Sequence, residues 1–141
     1  MTDANHEKLR KLVEQDAAVY NSGNVEKLVE LYVDDWVDHS QGVRGIEALK
    51  QGIVELRTAF PDISIAVEDV VVEGDKVAVR FTMRGTHSGE YLGIKPTGRT
   101  VEVNAFEISK TRDGKYAETW GVLDLFSLLN QLGAKDMPGD I

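Results

Sequence analysis

At 141 residues and 42% apolar content the chain suits one domain with one real core, and no apolar run approaches the length that spans a bilayer. Its 24 acidic against 16 basic residues leave a formal charge of −8, which opposes the counterion-release attraction behind nucleic-acid binding, and no polybasic run suits an anionic membrane surface. Cysteine is absent, which removes disulfides and thiol nucleophiles, and the polar start MTDANHEKLR lacks the apolar centre of a secretory signal, so a cytoplasmic protein is expected.

Glu7 to Tyr20 has the spacing of an amphipathic helix, with Leu9, Leu12, Val13, Ala17 and Tyr20 on one face. Asp16 lies inside that stripe, so a helix here points a carboxylate inward. His6 falls in the terminus expected to fray. Asn21-Ser22-Gly23-Asn24 breaks the helix, and Asn24 is placed to cap a second one carrying Val25, Leu28, Leu31 and Tyr32. Trp36 to His39 predicts a short strand with Val37 and His39 on one face. Gly45 to Phe60 is a third amphipathic helix, stopped by Pro61. The period then changes to alternation: Ile63, Ile65 and Val67 begin a strand, Val70 to Val72 continue it, Glu73-Gly74-Asp75 turns it, and Val77, Val79, Phe81 and Met83 return. The apolar parity slips at Asp69, which predicts a bulge.

A glycine-rich connection from Thr86 to Arg99 leads into a last hairpin, Val101 to Ser109 and Tyr116 to Asp124, turned by Asp113-Gly114. A short helix follows with Leu125, Leu128, Leu129 and Leu132 at helical spacing and Gly133 as its stop. Helices followed by a long antiparallel meander predict an α+β fold, the helices packed on one face of a curved sheet.

Such layers leave a pocket between them, and inward polar residues are the functional candidates. In the first strand of the last hairpin Asn104, Phe106 and Ile108 share one side, and Val103, Ala105 and Glu107 the other. Unbroken alternation in the second puts Tyr116, Glu118, Trp120, Val122 and Asp124 on one face. The candidates are Asp16, His39, Asn104, Glu118 and Asp124, with Tyr20, Tyr91 and Trp120 as walls. A carboxylate among such rings has its pKa raised toward neutrality, which suits acid/base work on a carbon acid, with His39 or Asn104 holding an enolate oxygen. Plainer roles compete. Asp124 sits where an N-cap belongs, His39 suits a satisfied strand-end residue, Asp16 suits a buried pair with a hydroxyl, and His87 reads as a solvated loop histidine. His39, His87, Asp38 and Asp124 lack the close spacing of a metal site, so no metal is expected. The glycines near residues 85 to 98 lack the strand-to-helix setting of a phosphate cradle, no nucleophile elbow is present, and nothing calls for a cofactor.

The blocks AFPD (Ala59 to Asp62), GDKVAVRF (Gly74 to Phe81), GTHSGEYLGIKPTGR (Gly85 to Arg99), FEISKTRDGK (Phe106 to Lys115), ETWGVLD (Glu118 to Asp124) and QLG, in this order, resemble the SnoaL-like polyketide (ester) cyclases of the NTF2-like superfamily. The resemblance implies a cone-shaped α+β barrel, a homodimer or homotetramer, and a cofactor-free intramolecular aldol ring closure on a small hydrophobic polyketide ester. It assigns the acid/base role to Asp124 and a pocket position to His39, while Asn104 is the inward polar residue nearest to a central-strand histidine of the cyclases. Asp16 falls where the related ketosteroid isomerases have a tyrosine, which argues against steroid isomerisation. Isomerase, dehydratase or hydrolase chemistry with the same carboxylates, and a non-catalytic small-molecule binder, are the alternatives.

Overall fold

The structure, a computed structural model, describes residues 2–134. The element order is α1 (Thr2–Ser22), a 3₁₀ turn (Val25–Lys27), α2 (Leu28–Leu31), β1 (Tyr32–Asp38), β2 (Val43–Arg44), α3 (Ile46–Ala59), β3 (Ser64–Glu73), β4 (Lys76–Thr86), β5 (Thr100–Arg112), β6 (Lys115–Leu123) and α4 (Leu125–Gln131). The strands form one unclosed curved sheet in the order β2-β1-β6-β5-β4-β3. The α+β expectation therefore holds, with one refinement. The antiparallel meander is extended by β1, which pairs with β6 in parallel, so the sheet is mixed.

α1 begins before the predicted start, and His6 is helical rather than frayed. Asn5 Nδ2 donates to the Gly74 carbonyl oxygen at 2.8 Å and ties this first turn to the β3–β4 turn. The second helix is a single turn, and Asn24 makes no side-chain cap bond. Tyr32 leaves the helix to start β1, its ring packed against Trp36 and Tyr116 at centroid distances of 5.2 and 4.9 Å. Burying three aromatic faces outweighs one more helical hydrogen bond.

The main core lies between α1, α2, α3 and the inner sheet face, around Leu9, Val13, Leu28, Ile53, Val77, Phe81 and Tyr116. A second cluster, with Phe60, Met83, Val103 and Leu128, fills the end where α3 and α4 meet β4 and β5. Two bulges set which side chains face these cores. The expected one in β3 is present: Val67 pairs with Phe81 and Asp69 with Arg80, leaving Glu68 unmatched. The other has no apolar signature. In β6, Tyr116 pairs with Thr111 and Glu118 with Lys110, so Ala117 is the extra residue. Beyond it the parity of β6 is reversed.

The connection between β4 and β5 is anchored at its base. Ser88 and Gly89 backbone N–H groups both donate to the Ala59 carbonyl oxygen, at 2.9 and 3.0 Å, and His87 exchanges backbone bonds with Arg99 and Gly98. His87 is fully buried, contrary to the solvated reading, with its ring on Phe60. Its Nδ1 lies 3.2 Å from the Thr97 backbone N and 3.0 Å from the Thr97 hydroxyl oxygen. A Cβ at Gly89 would lie 2.4 Å from the Thr58 carbonyl oxygen, a backbone atom that cannot give way cheaply. Gly89→Ala should therefore cost about 1–3 kcal/mol of stability, the range for overpacking, read as a lower urea midpoint with an unchanged slope.

Candidate active site

Between the helices and the inner sheet face lies a cavity of about 200 Å³. Asp16 and Tyr20 reach it from α1, Leu56 from α3, Ile65 from β3, Phe81 and Met83 from β4, Ala105 and Glu107 from β5, Gly121, Val122 and Leu123 from β6, Asp38 and Gln41 from the end of β1 and the turn after it, and Tyr91 from the glycine-rich connection. Among these described residues three are acids and none is basic. The cavity reaches the surface beside Val122, which is 66% exposed.

Asp16 is 4% exposed, as its place in the apolar stripe of α1 requires. Its Oδ1 accepts the Tyr32 phenol at 2.8 Å. Burial lifts its pKa to about 7, against a smaller downward pull from that hydrogen bond. Glu107 is pushed further, to about 8, first by burial and then by the charges of Asp16 and Asp38. Gly121 stands opposite Glu107 in the β5–β6 ladder, and a Cβ there would come within 2.7 Å of Glu107 Cγ. The glycine leaves the acid its room. Asp38 is partly occupied, because its Oδ1 accepts the Ser40 and Gln41 backbone N–H groups at 2.9 and 3.3 Å and shapes the turn carrying Gln41. The arrangement places two carboxyls that titrate near neutrality in one apolar-walled space, which is what a proton donor and a proton acceptor acting on one guest require.

Of the residues expected in the pocket, Asp16, Tyr20 and Tyr91 line it. Four others lie on the outer sheet face. Glu118 and Trp120 are carried there by the β6 bulge, where they pair across the ladder with Lys110 and Ile108. His39 follows them, its ring stacked on Trp120 at 4.7 Å and its Nε2 2.9 Å from Glu118 Oε1. Asn104 is exposed, pairs with Thr82, and takes its backbone carbonyl to the Asp124 N–H at 2.9 Å. Asp124 is exposed one residue beyond the lining Leu123, and its Oδ1 accepts the Ser127 N–H at 3.1 Å as the N-cap of α4. The sheltered setting expected for it is therefore not found. Glu107 and Asp38 were not among the expected pocket residues. The signal for Glu107 is its parity with Val103 and Ala105, the more apolar side of its strand; Asp38 carries none, because it alternates with Val37 and His39 in the short strand.

The raised carboxyls bear on stability. Each has a folded pKa above its unfolded value of about 4, so between those values the folded state holds more protons, and stability falls as pH rises. Urea unfolding followed from pH 5 to pH 8 should show the midpoint dropping with pH. Asp16→Asn should flatten the part of the fall below about 7 and Glu107→Gln the part reaching about 8.

Residues 10–132 match the model of the SnoaL-like polyketide cyclases. The chain is 25% identical over 129 residues to the aklanonic acid methyl ester cyclase DauD of Streptomyces sp. strain C5, covering 86% of this chain and 80% of DauD. Among solved structures, TsrD from Streptomyces laurentii superposes with a TM-score of 0.86 at 34% identity, over 91% of this chain and 96% of its own. IdmH from Streptomyces antibioticus gives 0.79 at 34%, over 89% and 98%. With a family model spanning the whole sheet, α2, α3, α4 and most of α1, the chain belongs to the SnoaL-like polyketide cyclase family.

Proposed function

We propose that this chain is a cofactor-free acid/base enzyme that closes a ring by intramolecular aldol addition on a small hydrophobic carbonyl compound of polyketide type. The observation that carries the reading is the pair Asp16 and Glu107, one carboxyl near 7 and the other near 8, facing one cavity. Near pH 7 Asp16 is the better base and Glu107 the better acid. Asp16 takes the proton alpha to a carbonyl, the enolate carbon bonds to a second carbonyl carbon, and Glu107 delivers its proton to the new alkoxide. One proton leaves the substrate and one returns, so the product is an isomer and no oxidant or reductant enters. Tyr20, Tyr91 and Gln41 line the same space and offer two hydroxyls and an amide to an enolate oxygen. The similarity to DauD, whose name describes cyclisation of a methyl ester, supports this substrate class.

A second reading rests on Asp124, to which the family resemblance gives the acid/base role. It adjoins Leu123, so a guest larger than the 200 Å³ cavity would extend past that residue to reach it. The two readings part experimentally. On a panel of β-polyketo methyl esters, with a mass-neutral product followed by chromatography and mass spectrometry, Asp16→Asn and Glu107→Gln should each lose about 10²-fold or more in turnover. Asp124→Asn, whose amide oxygen still caps α4, should stay within about tenfold of the parent. Folded Asp16→Asn and Glu107→Gln proteins that turn over normally, beside an inactive Asp124→Asn, would overturn the interior pair and transfer the role to Asp124.

We propose further that two copies associate through the outer sheet face. Val71, Phe106, Ile108, Trp120 and Val122 present exposed apolar side chains there, and a patch of this kind on one sheet face suits a self-complementary contact. Sedimentation equilibrium should find a dimer for the parent and a monomer for Val122→Lys; a monomeric parent rejects the proposal.

A further inference from the structure

Tyr32 belongs to no lining of the cavity, yet its phenol is the one side-chain hydrogen bond made by Asp16 among the described residues. The ring that carries it is held on two sides. Trp36 meets it edge-on at 5.2 Å and Tyr116 tilts against it at 4.9 Å. Trp36 is fixed in turn, since its Nε1 donates to Thr119 Oγ1 at 3.0 Å, and that hydroxyl bonds with Ser109 Oγ at 2.9 Å. A buried series of contacts thus runs from the β5–β6 ladder to one oxygen of Asp16: hydrogen bonds up to the Trp36 indole, a ring-edge contact from Trp36 to Tyr32, and the phenol hydrogen bond at the end. Burial first, and then the Asp16 charge, push the Tyr32 phenol well above its ordinary value, so it remains an O–H donor throughout the working range. Such a donor, already aligned and out of water, stabilises the ionised carboxyl more than the protonated one.

We infer that Tyr32 is the positioning residue of the acid/base site: it holds Asp16 Oδ1, leaves the second carboxyl oxygen as the one that meets a guest, and keeps the carboxyl ionisable at neutral pH. The inference rests on the proposed role of Asp16 for its catalytic part, but not for its titration part. Without the phenol, desolvation alone governs Asp16, and the carboxyl holds its proton to higher pH. The titratable neighbours that face the pair are Tyr20 on the same helix, Tyr116 on β6, Glu107 on β5 and Asp38 at the end of β1. All are neutral or acidic, and none supplies a positive charge that could replace the lost donor.

The test needs no substrate for its first readout. In ¹³C-carboxyl NMR of the ligand-free protein, Tyr32→Phe should move the Asp16 titration midpoint upward by about one pH unit, equivalent to about a tenfold change in the ionisation equilibrium. Tyr116→Phe, in the same aromatic cluster, should leave it in place. Should Tyr32→Phe fail to fold, 3-fluorotyrosine placed at position 32 keeps the shape and strengthens the donor, and the midpoint should move down. In turnover, Tyr32→Phe should shift the rising limb of kcat/KM to higher pH with recovery of rate above it, leaving KM near the parent value. An unmoved midpoint in both Tyr32 variants overturns the inference. A shifted midpoint with an active Asp16→Asn protein keeps the positioning role and removes the catalytic reading of Asp16 instead.

Discussion

A carboxylic acid set among the leucines and valines of α1 is the constraint that the interior is built around. An ionised carboxyl taken out of water is costly unless it is paired and hydrogen-bonded, and this one has no basic neighbour in the cavity. It meets the cost partly by holding a proton up to about pH 7 and partly through the Tyr32 phenol. That phenol can reach Asp16 because the chain abandons its second helix after one turn and enters the sheet at Tyr32, and β1 in turn lies in parallel beside β6. The short helix, the mixed sheet and the aromatic cluster are therefore one arrangement. Glu107, facing the same space, feels the Asp16 charge and is raised still higher.

Much of this was legible in the sequence, for stated reasons. The stripes of α1 and α3, the Pro61 stop, the β3–β4 and β5–β6 turns and the slip at Asp69 all follow from the periods 3.6 and 2 and from turn chemistry, and these are strong where one face is apolar. The inward direction of Asp16 followed from the same stripe. What was not legible is non-local. The parallel pairing of β1 with β6 joins residues far apart in the chain, and nothing within Tyr32 to His39 announces it. The β6 bulge at Ala117 lies in a stretch with large and polar side chains on both sides, so no apolar rhythm is available to register the slip. Alternation continued through it sends Glu118 and Trp120 to the interior, the opposite of where the bulge places them.

The outcome is a division of labour between the two sheet faces. The inner face carries carboxyls and phenols among aliphatic walls, a setting that excludes water and raises their pKa. The outer face carries His39, Trp120 and Glu118 as a stacked and hydrogen-bonded set beside Phe106, Ile108 and Val122. Polar residues of similar chemistry thus serve two environments, and type alone did not distinguish them. Asp124 stands at the seam, its backbone tied to Asn104 and its side chain closing the first turn of α4.

The extra residue in β6 has a bearing on how such a chain diverges. Because Tyr116 already pairs with Thr111 and Glu118 with Lys110, the residue between them is surplus to the ladder. Excising Ala117 would straighten the strand and leave both rows where they are, whereas the same residue kept in an unbulged strand would exchange the rows beyond it, turning an indole and a glutamate toward the guest and Thr119 and Gly121 toward the surroundings. A relative shorter by one codon at this point would therefore keep the same inward residues, and positional comparison across the strand is sound only when the gap is placed at Ala117.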